Sequence, residues 1–420
     1  MGRAHDVQCA VRRMAKRALR AIHGLAPRRA DRRSILLLCQ NGLMADYLGP
    51  VYELLREDER LRFFVTYPRD ARIAHEWEKI ERCLPVECLR LGVAECRRFD
   101  LIVTADHGYE GLATRRNCPV LYTGHGMTGK VVEGEGGDYG YGPRAKLADG
   151  SPRYSVMLEA SEKNRARVAA RDPLLASAIR VVGSLQDDAL LTQVGQRAAL
   201  REALGYSLDE RVVLVQSTWG PHCLFRTVGE ALLKEIAANP STRFVLSLHP
   251  HEYRPNADGT PSWGERLQAL RLPNVDVRAP GQAWIPTLIA ADFVLTDHTS
   301  LAIYAALAEK PTIWVPVPQD LIAEGTALSR LRAIAPTWEP KQALEDALVV
   351  SAREHPSEEL LALAREINSC PGEAAGRVRS VVYELLGLDP RGTTIDARDV
   401  VTNGTTRDVA QLKAADAALR

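Results

Sequence analysis

A histidine within a glycine-rich segment is the first group in this sequence with evident chemistry. His125 follows a short apolar run at Val120, and Gly124 and Gly126 flank it. Histidine exchanges a proton near neutral pH, and flanking glycines let a substrate approach the ring. Lys130, in the same segment, adds a cation that suits a phosphate. The pattern predicts a general base beside a phosphate-binding lysine, against the alternative of a glycine-rich loop with an incidental histidine.

Two further polar clusters also follow apolar runs typical of strands. His249 precedes Pro250, and its ring can donate a hydrogen bond to a phosphate oxygen. The segment from Thr296 to Ser300 precedes an apolar stretch that predicts a buried helix. Hydroxyl groups at a helix start favour phosphate binding, and an ordinary capped helix is the alternative. The residues predicted to bind phosphate are Lys130, Ser217, Thr218, His249, Asp297, Thr299 and Ser300.

The elements that position these clusters are predicted to form a parallel sheet in each of two halves. Short apolar strands alternate with helical periodicity, which is typical of α/β proteins with both sheet faces covered. A chain of 420 residues is too long for one ordinary core. We therefore predict one Rossmann-like unit over residues 34–186 and another over residues 187–387, with a ligand cleft between them. The glycine-rich loop 134–142 is expected at the mouth of a ligand site.

Charge distinguishes the two ends of the chain from these units. The net charge of +1 gives no case for binding nucleic acid. Residues 1–33 nevertheless carry ten Lys or Arg against two Asp, with apolar residues at helical spacing. This predicts a basic amphipathic arm on an anionic membrane surface, with a solvated helix or a disordered arm as the alternatives. Residues 388–420 are predicted to be a polar tail. The eight cysteines form no CxxC pair, so reduced thiols are expected and no metal site is predicted.

The clusters together resemble motifs of the CDP-glycerol glycerophosphotransferases of teichoic-acid-type polymer synthesis. Those enzymes carry His-Gly-x-Pro-x-Lys, Pro-Thr-Trp, His-Pro and Thr-Asp-Tyr-Ser-Ser. The matching segments, in the same order, are His125–Lys130, Ser217–Trp219, His249–Pro250 and Thr296–Ser300. The resemblance covers roughly residues 95–320. Thr128 replaces the family's proline, His298 its tyrosine and Thr299 its first serine. The His-Pro and hydroxyl pairs also look like those of bacterial sialyltransferases and polysialyltransferases, which use CMP-linked sugars.

The resemblance implies a GT-B fold, in which two Rossmann-like domains face an interdomain cleft. The first would bind the acceptor and the second the nucleotide donor. The implied reaction moves a glycerol-phosphate or related polyol-phosphate unit from a CDP-linked donor to a hydroxyl of a lipid-linked or polymer acceptor, releasing CMP. His125 would be the base, and His249 would hold the leaving phosphate. No cofactor is implied. The implied location is cytoplasmic, peripheral on the inner face of the cell membrane, in cell-envelope synthesis.

Two alternative functions stay open from the sequence. One is a GT-B glycosyltransferase or sugar-nucleotide epimerase that uses a nucleotide sugar. An epimerase needs further carboxylates at the sugar, for which Asp106 and Glu133 are the candidates. The other is an inactive GT-B binding module. His107, at another strand end, is a further candidate for the cleft.

Overall fold

The computed structural model describes most of the chain between the two polar ends. The described residues are 32–69, 74–109, 111–114, 118–125, 129, 131, 139–256, 258–279 and 282–389. The predicted arm 1–33, apart from its last two residues, and nearly all of the tail 388–420 lie outside these ranges. Gly126, Lys130 and Glu133 also lie outside them, and their roles stay predictions.

Two parallel sheets form the framework of the protein. The first has seven strands in the order β3-β2-β1-β4-β5-β6-β7. They are β1 (Arg33–Leu38), β2 (Leu61–Thr66), β3 (Glu87–Cys88), β4 (Leu101–Thr104), β5 (Val120–Tyr122), β6 (Val156–Glu159) and β7 (Ile179–Val181). The second has five strands in the order β10-β9-β8-β11-β12. They are β8 (Arg211–Ser217), β9 (Thr242–Leu248), β10 (Val275–Val277), β11 (Phe293–Thr296) and β12 (Thr312–Trp314). The predicted α/β class with parallel sheets is confirmed.

Helices connect the strands and cover both faces of each sheet. In the first half they are α1 (Gly42–Leu55), α2 (Ala74–Cys83), α3 (Leu91–Cys96), α4 (Glu162–Arg171) and α5 (Pro173–Ala176). The crossover to the second half contains α6 (Leu185–Gln193) and α7 (Arg197–Ala203). The second half continues with α8 (Leu224–Ala238), α9 (Trp263–Gln268), α10 (Ile285–Ala290), α11 (Leu301–Leu307), α12 (Ala327–Ile334), α13 (Leu344–Arg353), α14 (Ser357–Ile367) and α15 (Ala374–Leu386). No helix in the described ranges is long and apolar enough to cross a bilayer.

A side chain sets the start of one helix near the cavity, and a turn follows the end of another. Helix α1 begins at Gly42, because the Asn41 side chain accepts hydrogen bonds from the backbone N–H groups of Leu43 and Met44. Helix α11 is buried as predicted, and it ends at Leu307. The backbone turns just afterwards, since Glu309 has a φ of 51°.

The last helix returns to the first half of the molecule. Val378 and Val382 of α15 are buried in the core that also contains residues of α1 and of β1. The Asp188 carboxylate of α6 accepts hydrogen bonds from the backbone N–H groups of Gly372, at 2.7 Å, and Ala374, at 3.0 Å. The crossover helix therefore anchors the start of α15. The division of the chain after residue 186 stays a prediction, and it assigns α15 to the second half although α15 packs in the core of the first half.

Candidate active site

A cavity of about 400 Å³ lies between the two sheets. The carboxyl ends of parallel strands open onto one edge of a sheet, which is where open α/β sheets bind ligands. The first half contributes residues that follow β1, β4 and β5, and the second half those that follow β8, β9 and β11. The lining includes Asn41, Asp106, Gly124, His125, Ser217, Thr218, His249, Thr299 and Ser300. Tertiary structure thus gathers most of the predicted site residues around one space.

The His125 ring is fixed with one nitrogen toward the protein backbone. Its Nδ1 lies 3.0 Å from the carbonyl oxygen of Ala105. Because a carbonyl only accepts hydrogen bonds, Nδ1 carries the proton of the neutral ring and Nε2 keeps its lone pair. The Tyr139 ring meets the imidazole edge to face at 5.0 Å, and Tyr139 also donates a hydrogen bond to Asp106. A neutral imidazole held in this way can accept a proton at Nε2.

The His249 ring has the opposite arrangement. Its Nδ1 accepts a hydrogen bond from the backbone N–H of His251 at 3.1 Å. The proton of the neutral ring is therefore on Nε2, which is a donor. Pro250 begins the short turn that follows and limits the backbone there. One side of the cavity thus carries a proton acceptor, and the other carries a hydrogen-bond donor.

An aromatic group lies beside His249 at the end of β8. Trp219 is 39% exposed, and its ring centroid lies 5.0 Å from that of His251 and 6.1 Å from that of His249. All three rings line the cavity. Exposed aromatic faces of this kind suit stacking with a planar ligand.

Asp297 is a positioning residue rather than a ligand-binding one, which corrects the sequence prediction. Its side chain is fully buried and does not line the cavity. The carboxylate accepts a hydrogen bond from the hydroxyl of Ser217 at 2.8 Å. It also accepts hydrogen bonds from three backbone N–H groups, those of Thr218 at 3.0 Å, Leu224 at 2.8 Å and Thr299 at 2.9 Å. It therefore joins the ends of β8 and β11 to the start of α8.

The predicted phosphate site at the start of α11 also needs correction. Thr299 and Ser300 line the cavity, and their hydroxyls stay candidates. The backbone N–H of Thr299, however, donates a hydrogen bond to the Asp297 carboxylate. The backbone N–H of Ala302 donates to the carbonyl of Thr299, and that of Ile303 donates to the carbonyl of Ser300. These hydrogen bonds leave fewer backbone N–H groups for a ligand than a free helix start would offer. His298, where the resembling family has tyrosine, is buried and does not line the cavity.

Solved structures of similar fold can now be placed beside this geometry. A structure of the wall teichoic acid polymerase TagF aligns over 92% of this chain and 99% of its own, at 13% identity and a TM-score of 0.59. A TagF structure soaked with CDPG aligns over the same shares, at 12% identity and a TM-score of 0.61. The chain has the GT-B fold. The S. aureus MnaA structure with UDP shares this fold, aligning over 86% of this chain and 99% of its own, at 11% identity and a TM-score of 0.53.

Comparisons of the sequence do not assign this GT-B protein to a family. No family model matches the chain, and no curated protein matches its sequence. Identities of 11–13% establish the fold alone. In the described ranges, no group of three His, Cys, Asp or Glu side chains is placed to hold a metal ion.

His107 belongs to the core of the first half and not to the cleft, which corrects the sequence suggestion. It is buried, its Nδ1 lies 2.8 Å from the Tyr154 hydroxyl, and its ring stacks on Tyr122 at 4.9 Å. Burial lowers the pKa of His107 from 6.5 to about 3. The ring is therefore neutral in the folded protein at neutral pH.

We expect this buried histidine to weaken the fold in mild acid. Between pH 6.5 and about 3 the unfolded chain binds a proton here that the folded protein does not, so this contribution to stability falls as the pH falls. A shift of one pH unit corresponds to about 1.4 kcal/mol. The buried neutral ring of His107 should therefore lower the free energy of unfolding by about 2 kcal/mol at pH 5. Urea unfolding of wild type and His107→Gln at pH 7 and pH 5 measures this difference. The control is His222→Gln, which replaces an exposed histidine. The expectation would be contradicted if the free energy of unfolding differed between His107→Gln and wild type by the same amount at both pH values.

Sequence reasoning missed a carboxylate of the cavity. Glu159 ends β6, a four-residue strand that was not predicted, and it lines the cavity. The carboxylate accepts hydrogen bonds from the backbone N–H groups of Ala160 and Ser161 and from the side chains of Tyr141 and Asn164. With these donors Glu159 shapes the wall. The only signal was the short apolar run Val156–Leu158, too brief to separate from a loop.

Proposed function

We propose that the protein transfers a glycerol-phosphate or related polyol-phosphate unit from a CDP-linked donor to an acceptor hydroxyl, with CMP as the leaving group. The observation that carries the proposal is the pair of ring nitrogens in the cavity: Nε2 of His125 has a lone pair, and Nε2 of His249 has a proton. Transfer of a phosphoryl group to an alcohol needs a base for the alcohol and a donor for the phosphate that leaves.

The reaction follows from these two roles. His125 takes the proton of the acceptor hydroxyl as its oxygen attacks the β-phosphorus. The bond between that phosphorus and the oxygen bridging to the α-phosphate breaks, and CMP keeps the electron pair. His249 donates a hydrogen bond to the phosphate that leaves, and the hydroxyls of Thr299 and Ser300 line the same cavity. Lys130, predicted to neutralise phosphate charge, completes the proposed set.

The proposal places the acceptor toward the first half and the nucleotide toward the second. The acceptor would be lipid-linked or polymeric, as the resemblance implies, and residues 1–33 would hold the protein on an anionic inner membrane surface. Enzymes of this kind rely on positioning and charge stabilisation more than on covalent steps. The fixed rings of His125 and His249 supply such positioning.

A second candidate is turnover of a nucleotide sugar by a glycosyltransferase or epimerase. The observation that favours it is Asp106, which lines the cavity with its Oδ1 3.8 Å from Nδ1 of His125. Against it, Asp106 already accepts hydrogen bonds from Tyr139 and from the backbone N–H of His107.

A ligand panel followed by a turnover assay tests the proposal. Melting temperatures of the full chain are measured with CMP, CDP-glycerol, CDP-ribitol, CMP-sialic acid and UDP-sugars. A ligand at 100 times its Kd should stabilise the fold by about 2.7 kcal/mol. We expect stabilisation by CMP and CDP-glycerol, and CMP release when a lipid-linked acceptor is added. Turnover of UDP-sugars alone would favour the second candidate, and liposome binding without nucleotide affinity would favour the inactive module.

A further inference from the structure

The chain passes between the two halves at two places that touch each other. The first crossing runs from β7 through Gly183 into α6, and the second runs from α14 to α15 through residues 368–373. Gly183 has a φ of 82°, and a Cβ placed on it would lie 2.8 Å from the carbonyl oxygen of Cys370. That distance leaves no room for a side chain, so the two crossings are in close contact. A rotation of one half against the other must change backbone angles here.

Asp187 is buried at this contact and its carboxyl group has no hydrogen-bond partner. The residue has 0% exposure, and neither side-chain oxygen has a partner among the described residues. On the second crossing, Nδ2 of Asn368 is also buried without a partner, while its Oδ1 accepts a hydrogen bond from the backbone N–H of Cys370 at 2.9 Å. Native proteins rarely leave buried polar atoms unpaired. Three such atoms at the contact between the crossings therefore indicate that their partners are supplied in a second conformation.

The charged groups that face Asp187 are carboxylates. Asp188 follows it on α6, and Glu159 ends β6. The hydroxyls of Tyr47, from α1, and Tyr304, from α11, face it as neutral groups. Helix α10 also packs against α6, and it has no titratable side chain. On α15, which packs there too, Glu384 is exposed and the other titratable side chains bond elsewhere: Arg377 to Glu373, Arg379 to the carbonyl of Leu54, and Tyr383 to Asp58.

These surroundings favour the neutral form of Asp187 in this conformation. Burial, with a smaller contribution from the charges of Asp188 and Glu159, raises the pKa of Asp187 to about 7, although the Ser184 side chain opposes the shift. An ionised carboxylate at this depth needs a hydrogen-bond donor. Asn368 is close enough for its side chain to interact with Asp187, and its Nδ2 is the donor that has no other partner.

We propose that Asp187 sets the relative position of the two halves by gaining or losing one proton. The protonated carboxyl keeps the halves in this conformation. On ionisation the proton passes to solvent, and the carboxylate accepts a hydrogen bond from Nδ2 of Asn368, which turns the halves about the two crossings. Residues 183–186 line the cavity, so this turn changes the distance between its two walls, and with it the distance from His125 to His249. The inference goes beyond the proposed function and applies with any donor.

The distance between the halves at two pH values tests this proposal in the full-length protein. Spin labels are attached through unnatural amino acids at Glu59 and Glu339, exposed residues of the first and second half, so the native cysteines stay intact. Double electron–electron resonance gives the distance distribution. We expect it to shift between pH 6 and pH 8 with a midpoint near pH 7. Asp187→Asn resembles the protonated carboxyl and should keep the pH 6 distribution at both pH values.

Two further variants separate the hydrogen bond from damage to the fold. Asn368→Ala removes the donor, so it should show the wild-type distribution at pH 6 and no shift at pH 8. The control Asp209→Asn replaces an exposed carboxylate and should shift as wild type does. Infrared difference spectra identify the proton, because the C=O stretch of a protonated carboxyl group should disappear from wild type between pH 6 and pH 8 and not from Asp187→Asn.

Three results would overturn the proposal. One is a wild-type distribution that is the same at both pH values. Another is a pH-dependent shift that Asp187→Asn or Asn368→Ala retains. The third is a carboxyl signal that Asp187→Asn leaves unchanged. None of these measurements requires turnover, so they test Asp187 whether or not the protein releases CMP from CDP-glycerol.

Discussion

The variant His125→Ala should release CMP about 10²–10⁴-fold more slowly than wild type while binding CDP-glycerol with unchanged affinity. Wild type holds Nδ1 against the Ala105 carbonyl and leaves Nε2 as the proton acceptor. Alanine removes that acceptor and leaves the second-half wall intact. CMP release with CDP-glycerol and a lipid-linked acceptor gives the rate, and calorimetry with CDP-glycerol gives the affinity.

The other histidine of the cavity, His249, should affect CMP binding. His249→Ala should weaken CMP binding by about 10- to 100-fold, because a hydrogen bond to a charged phosphate contributes about 1.5–3 kcal/mol. His222→Ala removes an exposed histidine outside the cavity lining and should change neither quantity. Equal CMP release by His125→Ala and wild type would remove His125 from the base role. Unchanged CMP affinity in His249→Ala would remove His249 from phosphate binding.

The largest effect on stability is expected at Asp297. Asp297→Ala removes the acceptor of three buried backbone N–H groups, those of Thr218, Leu224 and Thr299. Each buried donor without an acceptor costs about 1–3 kcal/mol, so the free energy of unfolding should fall by at least about 3 kcal/mol. Nucleotide affinity should fall as well, because the ends of β8 and β11 lose their common anchor. Urea unfolding and calorimetry with CMP measure the two effects.

An exposed carboxylate serves as the control for this prediction. Asp320 lies on the surface, so Asp320→Ala should change the free energy of unfolding by no more than about 0.5 kcal/mol. If Asp297→Ala unfolded at the same urea concentration as Asp320→Ala, with the same dependence on urea, the anchoring role would be wrong. Full stability with lost CMP affinity would indicate direct contact between Asp297 and the ligand.

Local sequence determined much of this protein because strands and turns are local. Apolar runs such as Leu61–Thr66 form mostly buried strands, as the alternation of strands and helices predicts. Parallel strands share a direction, so polar residues after different strands meet at one edge of a sheet. That rule brings His249 and Thr299 to one edge of the second sheet, and the packing of the two halves brings His125 to the same cavity.

Tertiary structure decided which polar residues at the strand ends face the ligand and which support the fold. His107 and His125 follow neighbouring strands, yet only His125 lines the cavity, because His107 packs against Tyr122 and Tyr154. Asp297 and Thr299 are two residues apart, yet the carboxylate turns inward to backbone N–H groups from other segments.

The same distinction applies to the protonation of each histidine ring. The proton of a neutral histidine lies on the nitrogen that its neighbours leave as a donor, and for His125 that neighbour is the carbonyl of Ala105 on another strand end. Sequence therefore determined where polar groups follow strands, and long-range contacts determined the direction, partner and protonation of each one.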